Sequence, residues 1–556
     1  MVSKTVTLVA VCVLVIAGGS AAFVLATEKG RSDDTIVAGM VLSSGGETFG
    51  LGDMGTYYFH TTNAYHENLI CINEKGEYMG LLAESWTTNA DASVWTFVLR
   101  KNIKWTDGEP FTANDVIFTI KYTLEKQIWG LNDAAFLREM KTSTNPSYTP
   151  YYKGTTPDGK ETVTIEMAKP YSNLLLNMRC GLSILPEHIY KNVSDPMTYG
   201  APTTELNAAI GTGPYVVKSL DVSSRTLTME RNDSYYLGAP KAKTIITRYY
   251  SDANVTALAL EKGDIDLILA WGSGITSVAA DSLSNNPNVT IGKIDSAYLY
   301  GVCFNTKKAP FDNSDLRTAL SYCIDYDKMI LLLQGGYGKV PNRSIVSSSI
   351  LYSKDNGLLE YNIGKGVKLL NDLGYVDKNG DGWLDCPDGT PFKPKLGFSV
   401  SAADTAALVK EGFNKAGIDL QLESVSTAWA AWKRQTDSSG IRLYDLVLSG
   451  TSHLGAYTWA GYGTTVIDAN GGLKDCQVDT PEFLALVDAL NSANTSQKLK
   501  NAAYALQDWY AKEMPMIPIY ERQIITAYSS NIKGTTVDAQ FGYTLCHSTL
   551  MNICHK

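Results

Sequence analysis

Residues 81–122 read LLAESWTTNADASVWTFVLRKNIKWTDGEPFTANDVIFTIKY, and the order of local signals in them decides the fold class. Val94 to Leu99 alternates with period two: Trp95, Phe97 and Leu99 share one face, and Val94, Thr96 and Val98 the other, as in a strand. Thr106-Asp107-Gly108 predicts a tight turn, because glycine reaches positive φ without a steric penalty. Thr112 stands three residues ahead of Asp115, an N-cap followed by a first-turn acid, and Val116, Ile120 and Leu124 continue at helical spacing. Strand, turn and helix in succession, repeated along the chain, argue for an α/β architecture with layered sheets. The stretch holds nothing equipped for catalysis.

Further landmarks follow in order. Gly211-Thr212-Gly213-Pro214-Tyr215 leads into Val216 and Val217, and Arg231-Asn232-Asp233-Ser234-Tyr235-Tyr236-Leu237-Gly238-Ala239-Pro240 comes next. Leu260 to Leu267 reads LEKGDIDL, a helix-to-strand turn. Phe304-Asn305-Thr306, Pro310-Phe311, Leu316-Arg317, Ala319-Leu320 and Ile324-Asp325 form another group, completed by Leu369 to Tyr375 and Pro515 to Tyr520. Taken in this order, the set resembles the extracellular solute-binding proteins of the dipeptide, oligopeptide and nickel family, family 5, the capture subunits of ABC importers. The resemblance implies a two-lobe periplasmic-binding-protein-like fold of type II, in its large three-subdomain variant. Lobe I would comprise 36–302 plus 518–556, with an inserted subdomain over about 71–210, and lobe II 303–517. Two crossing strands are expected near Tyr300 to Phe304 and near Met516 to Tyr520.

Chain length supports that division, since 556 residues exceed one core and call for two or three domains. A net charge of −9 argues against nucleic acid as a partner, because phosphate binding needs a basic footprint. Val6 to Ala26 is uncharged and long enough to span a bilayer, preceded by Lys4 and followed by Glu28, Lys29 and Arg31. It reads as a signal peptide, with small residues at Ser20-Ala21-Ala22 and Val24-Leu25-Ala26, or as a retained membrane anchor; its length favours the anchor. Residues 27–35 would be a polar tether, and either way the remainder is exported, as a secreted or cell-surface membrane-anchored protein. Cys71, Cys180, Cys303, Cys323, Cys386, Cys476, Cys546 and Cys554 lie beyond that segment. Export permits disulfides, but their irregular spacing assigns no pairs, and Cys303 and Cys323 sit in apolar patterns expected of buried thiols.

Asp377-Lys378-Asn379-Gly380-Asp381-Gly382-Trp383-Leu384-Asp385-Cys386-Pro387-Asp388 carries oxygen side chains at loop positions 1, 3, 5, 9 and 12 and glycine at 6. That is a calcium-loop pattern, with a shorter Asp388 in place of the bidentate glutamate. A structural calcium would be held by Asp377, Asn379, Asp381, the Trp383 carbonyl, Asp385 and Asp388; the plain alternative is a solvated Asp/Asn/Gly turn. No cofactor is required by anything in the chain.

In peptide-binding relatives, the loop after the strand Tyr444 to Leu448 carries an aspartate for the peptide's amino terminus. Here Ser449 to Gly463 has no acid and contains His453, where nickel-type relatives place a histidine. Ligand-facing candidates implied by the resemblance are Tyr57, His60, Trp271, His453, Trp459 and Tyr462, with Arg179 as a bidentate partner for a ligand carboxylate. Tyr65-His66-Glu67-Asn68-Leu69 resembles the family's first helix, with His66 away from the site. The Cys546-His547 and Cys554-His555 pairs do not have a structural zinc spacing.

Enzyme motifs fail. His66-Glu67 lacks the second histidine of a zinc protease, no G-x-S-x-G occurs, and Gly335 to Lys339 lacks P-loop spacing. The expected function is a monomeric extracytoplasmic binding protein that closes on a peptide or similar small solute. It would pass that cargo to a membrane permease driven by a cytoplasmic ATPase. A nickel or metal-chelate carrier of the same family is the alternative, and a membrane-tethered solute sensor the reading from another class.

Overall fold

The computed structural model describes residues 33–41, 62–73, 77–126, 128, 136–137, 140, 149–168, 170–171, 174–175, 178, 182–196, 199, 206–221, 223–269, 274–346, 352–425, 429–452, 475–493, 495–538, 542–543 and 545–556. In the opening stretch, the strand Val94–Leu99 turns Trp95, Phe97 and Leu99 inward, as its alternation requires. It is an inner strand of a four-stranded antiparallel sheet, between Ala83–Thr88 and Glu161–Glu166, with Tyr151–Thr155 at the edge. Gly108 takes φ +98° in the expected turn. The helix Ala113–Lys126 starts in a capping box: Asn114 N donates to Thr112 Oγ1 (3.3 Å), and Thr112 N donates to Asp115 Oδ2 (2.8 Å). Asp115 Oδ1 also accepts from Glu187 N at 3.0 Å, so one carboxylate caps two helices, Ala113–Lys126 and Glu187–Tyr190. Burial raises the Asp115 carboxyl above its ordinary range, against the pull of those N–H donors. This sheet and helix share a core of residues 69–184, including Phe97, Trp105, Val116, Ile120 and Val163.

A second sheet has eleven strands, ten on one path and Gly338–Lys339 paired with Met516–Ser529 off it. At its centre lie two long antiparallel strands, Val289–Phe304 and Met516–Ser529. On one side come Leu446–Ser452, Lys395–Ser399 and Gln421–Val425, mutually parallel. On the other come Leu267–Leu269, Thr35–Val41 and Thr244–Tyr250, also mutually parallel, then the antiparallel pair Thr226–Arg231 and Tyr215–Asp221. Among the described residues, the two central strands are the ones that belong to both halves of this sheet. Their register shifts between Asp295 and Leu299 and again between Tyr300 and Gly301, where a bulge twists the pair.

Beyond the shift, side chains alternate between two cores. Val302 and Phe304 join Phe311, Leu396, Phe413 and Ile517; Leu299 and Cys303 join Val447, Phe483, Tyr510 and Met516 on the opposite face. Before it, Ile294 packs with Ile36, Tyr215, Ile245 and Leu267. Helices cross between the parallel strands: Ala253–Lys262 ends at Gly263 (φ +80°) before Leu267–Leu269, and Ala403–Lys415 links Lys395–Ser399 to Gln421–Val425.

Gly211 explains the glycine ahead of Tyr215. A Cβ there would lie 1.7 Å from the Tyr65 carbonyl oxygen, so two backbone segments touch where no side chain fits.

Tyr65–Leu69, expected as helix, is not one. A short 3₁₀ turn at Thr62–Ala64 gives way to irregular chain and then the strand Ile70–Ile72. The carbonyls a helix would use are taken by distant amides, Gly213 N on Tyr65 O (3.0 Å) and Ile184 N on Glu67 O (2.8 Å). Val6 to Ala26 lies outside the described residues; among the described residues no helix is long and apolar enough to cross a membrane.

Candidate functional site

A cavity of about 340 Å³ opens where the central strands meet the helix Trp429–Lys433, lined among others by Tyr300, Ser399, Trp429, Lys433, Arg442 and Ser449. Each wall has a local cause. Tyr300 stands at the register shift, with its ring 6.4 Å from that of Tyr520. Ser449 is carried by the strand Leu446–Ser452, which continues four residues past the expected end at Leu448 because Ser449, Gly450, Thr451 and Ser452 pair with Gly301, Tyr300, Leu299 and Tyr298. The acid-free loop therefore begins as strand.

The floor is a buried ionic cluster. Lys433 Nζ donates to Asp475 Oδ2 (2.6 Å) and to Ser449 Oγ (3.2 Å), and Ser449 Oγ donates to the same Asp475 oxygen (2.6 Å). The Lys433 and Asp475 side chains are only 11% and 7% exposed, so their attraction acts in a low-dielectric setting. Tyr444 OH donates to Asp475 O at 2.6 Å; burial, then the neighbouring Asp475 charge, raises that phenol well above its ordinary range. Lys433 Nζ lies 5.4 Å from the Trp429 ring centre, a cation–π distance. Trp429, Trp432 and Tyr444 stack in a row, 5.5 and 5.8 Å apart with interplanar angles of 10° and 19°. Arg434 and Arg442 also line the cavity. Aromatic faces with convergent cationic donors can hold a small polar solute, particularly one with a carboxylate.

Tyr57, His60, Arg179, Trp271, His453, Trp459 and Tyr462 all lie outside the described residues. The residues around the cavity were missed by sequence reasoning. The signal available was Trp429 and Trp432 with Lys433 and Arg434, a mixed aromatic and basic cluster just ahead of the strand.

The calcium-pattern loop is described throughout. Asp377 accepts from Gly380 N (2.7 Å) and Gly382 N (2.9 Å), Asn379 from Asp381 N (2.8 Å), and Asp381 from Trp383 N (2.9 Å). Asp385 is buried and accepts from Lys378 N (3.0 Å), while Asp388 accepts from Thr390 N and Oγ1 (2.9 and 2.7 Å). The loop is thus held by its own donors. Among the described residues no group of three or more His, Cys, Asp or Glu side chains is placed to hold a metal ion. The terminal Cys-His pairs fall under the same finding: His555 Nε2 pairs with Thr35 O (3.0 Å), and Cys546 Sγ rests against Thr549 Oγ1 (3.4 Å).

A second buried polar cluster surrounds Glu67. Glu67 Oε1 accepts from Tyr235 OH (2.5 Å) and Tyr236 OH (3.2 Å), and His66 Nε2 pairs with Ala208 O (2.9 Å). Burial pushes the Glu67 carboxyl up to about 7 despite the phenolic donors, and holds His66 down to about 4. His547, whose ring is 6.1 Å from that of Tyr235, is likewise held down to about 4 by burial.

Comparison with known proteins places this geometry. Residues 77–465 match the family model described as bacterial extracellular solute-binding proteins, family 5 Middle. The oligopeptide-binding protein AppA of Bacillus subtilis is 28% identical over 381 residues, 67% of this chain and 65% of that protein, so the match spans slightly less than two thirds of the relative. A periplasmic oligopeptide-binding structure from Thermotoga maritima covers 95% of this chain and 100% of its own at 20% identity, with a TM-score of 0.72. NikZ from Campylobacter jejuni, solved in complex with Ni(L-His), covers 93% of this chain and 98% of its own at 20% identity, with a TM-score of 0.64. At those identities the structural likenesses establish the fold.

Proposed function

Since the chain belongs to the bacterial extracellular solute-binding proteins of family 5, we propose that it captures a peptide outside the cytoplasm and delivers it to an ABC permease and its ATPase subunits, acting as a single chain. The observation that carries this reading is the pair of long strands, Val289–Phe304 and Met516–Ser529, which join two separately cored halves beside an aromatic and cationic cavity. We read 36–302 with 518–556 and 303–517 as the two lobes, the register shift at 295–301 as their hinge, and closure about it as the capture step. Closure needs only that cargo bind the closed form better than the open one. No bond of the cargo changes. The N-terminal segment 1–26 would export the chain, or tether it to the membrane.

The test is a thermal-shift screen of the purified protein with di- to pentapeptides, Ni²⁺ with and without histidine, and sugars. A peptide cargo at a hundredfold excess over its Kd should add about 2.7 kcal/mol of stability. Stabilisation by Ni²⁺ with histidine alone would favour the metal-chelate reading instead, for which His453 and the fold shared with NikZ speak. Sugars alone would displace both.

Calcium in the 377–388 loop is a separate proposal, supported by its oxygen and glycine pattern. Because the loop's own N–H groups already engage its acids, calcium would bind only after those acids reorient. Chelation of the purified protein should then lower Tm by only a few degrees; an unchanged Tm retires the ion.

A further inference from the structure

Cys303 and Cys476 are fully buried in one apolar cluster, though 173 positions apart in sequence. Cys303 lies on the crossing strand Val289–Phe304, between Val447 and Met516. Gly301, two residues earlier, pairs with Ser449, so strand periodicity puts Gly301, Cys303, Val447 and Ser449 on one face of the sheet. The segment Asp475–Gln477 passes over that face. Asp475 reaches Ser449 Oγ at 2.6 Å, and the Cys476 carbonyl accepts from Thr306 N (3.1 Å) and Thr306 Oγ1 (2.8 Å). These anchors hold Cys476 against Cys303 in one buried cluster, where both side chains are thiols. Cys323 and Cys386 pack in the other cluster, on the opposite face.

We propose that Cys303 and Cys476 are joined by a disulfide in the exported protein, fixing Asp475–Gln477, and with it the Lys433 ion pair, to the crossing strand. The occurrence of the bond in the cell rests on the extracytoplasmic reading; the pairing itself rests on the geometry. The oxidant is a disulfide, of a small thiol or of a protein. One cysteine thiolate attacks it, forming a mixed disulfide and releasing one thiol. The second cysteine thiolate then attacks the protein sulfur, forming the Cys303–Cys476 bond and releasing the second thiol. The two protons lost by the cysteines end on the two thiols released. Both groups are sealed from solvent once the fold is complete, and the Cys476 contact and burial raise the Cys303 thiol well above its ordinary range, so the exchange takes place during folding.

The test needs neither cargo nor export, so its result is independent of the cargo screen. Full-length protein is unfolded with reductant, refolded in a mixture of reduced and oxidised glutathione, alkylated under denaturing conditions and digested with trypsin without reduction. Cleavage after Lys293 and Lys307, and after Lys474 and Lys498, leaves each cysteine in a peptide containing no other. The expected result is one linked species of those two peptides that separates on reduction. The oxidised protein should also melt several degrees above the reduced one, a difference abolished in Cys303→Ala/Cys476→Ala. Recovery of both cysteines as alkylated peptides, or of either linked to another cysteine, overturns the proposal, whether or not the double variant folds.

Discussion

Lys433→Met is expected to destabilise the protein by about 3–5 kcal/mol, the range for removing one partner of a buried ion pair. Methionine fills nearly the same volume and can still pack against Trp429, so the loss is electrostatic. Asp475 would keep its charge in a site only 7% exposed, with the Ser449 hydroxyl as its remaining donor in the cluster. Double replacement, Lys433→Met with Asp475→Leu, should recover most of that loss, since an apolar pair of similar size often matches a buried ion pair. Urea denaturation of wild type and the two variants checks the order. A single variant within about 0.5 kcal/mol of wild type would mean that the pair is solvated, as surface pairs are. The same substitution should weaken cargo binding, because Ser449 and Asp475 set the cavity floor.

Glu67→Gln is expected to change how stability depends on pH. In the folded protein the Glu67 carboxyl titrates near 7, against an ordinary 4.5 when unfolded. The folded state therefore holds a proton that the unfolded chain releases, and the contribution of Glu67 to wild-type stability falls as pH rises from about 4.5 to 7. The shift bounds that loss at about 3 kcal/mol. Glutamine keeps the acceptor for Tyr235 and Tyr236 and cannot ionise, so the variant should gain on wild type steadily across that window. His66 and His547 act in the opposite sense. Held near 4 against an ordinary 6.5, they contribute stability that is fully present above 6.5 and lost as pH falls toward 4. Wild type should therefore show a shallow profile between pH 4.5 and 6.5, and Glu67→Gln a steeper acid loss. Parallel profiles for the two proteins, measured by denaturant unfolding at each pH, would show that Glu67 ionises normally.

What the sequence disclosed was local. The alternation at Val94–Leu99, the Thr112/Asp115 box and the glycine ahead of Tyr215 each act within a few residues, or through a backbone contact that only glycine allows. Long-range bonds were not legible. Tyr65–Leu69 resembles the family's first helix, yet His66 bonds across 142 positions to Ala208 and Glu67 across 168 to Tyr235, and those partners hold the segment in irregular chain. Likewise the cavity floor joins Lys433 to Asp475 across 42 positions, and nothing in the neighbourhood of either residue names the other. Apolar patterning correctly placed Cys303 in a core, but the sulfur facing it comes from a different segment. The calcium pattern illustrates the converse: residue types were readable, whereas the direction of each carboxylate was set by the loop's own N–H groups.

The proposed capture mechanism requires one structure to take two shapes about the 295–301 register shift. Small-angle X-ray scattering of the protein, alone and saturated with the peptide that most raises its Tm, measures this directly. Capture by closure predicts a smaller radius of gyration with peptide bound. An identical scattering curve at full saturation would contradict it.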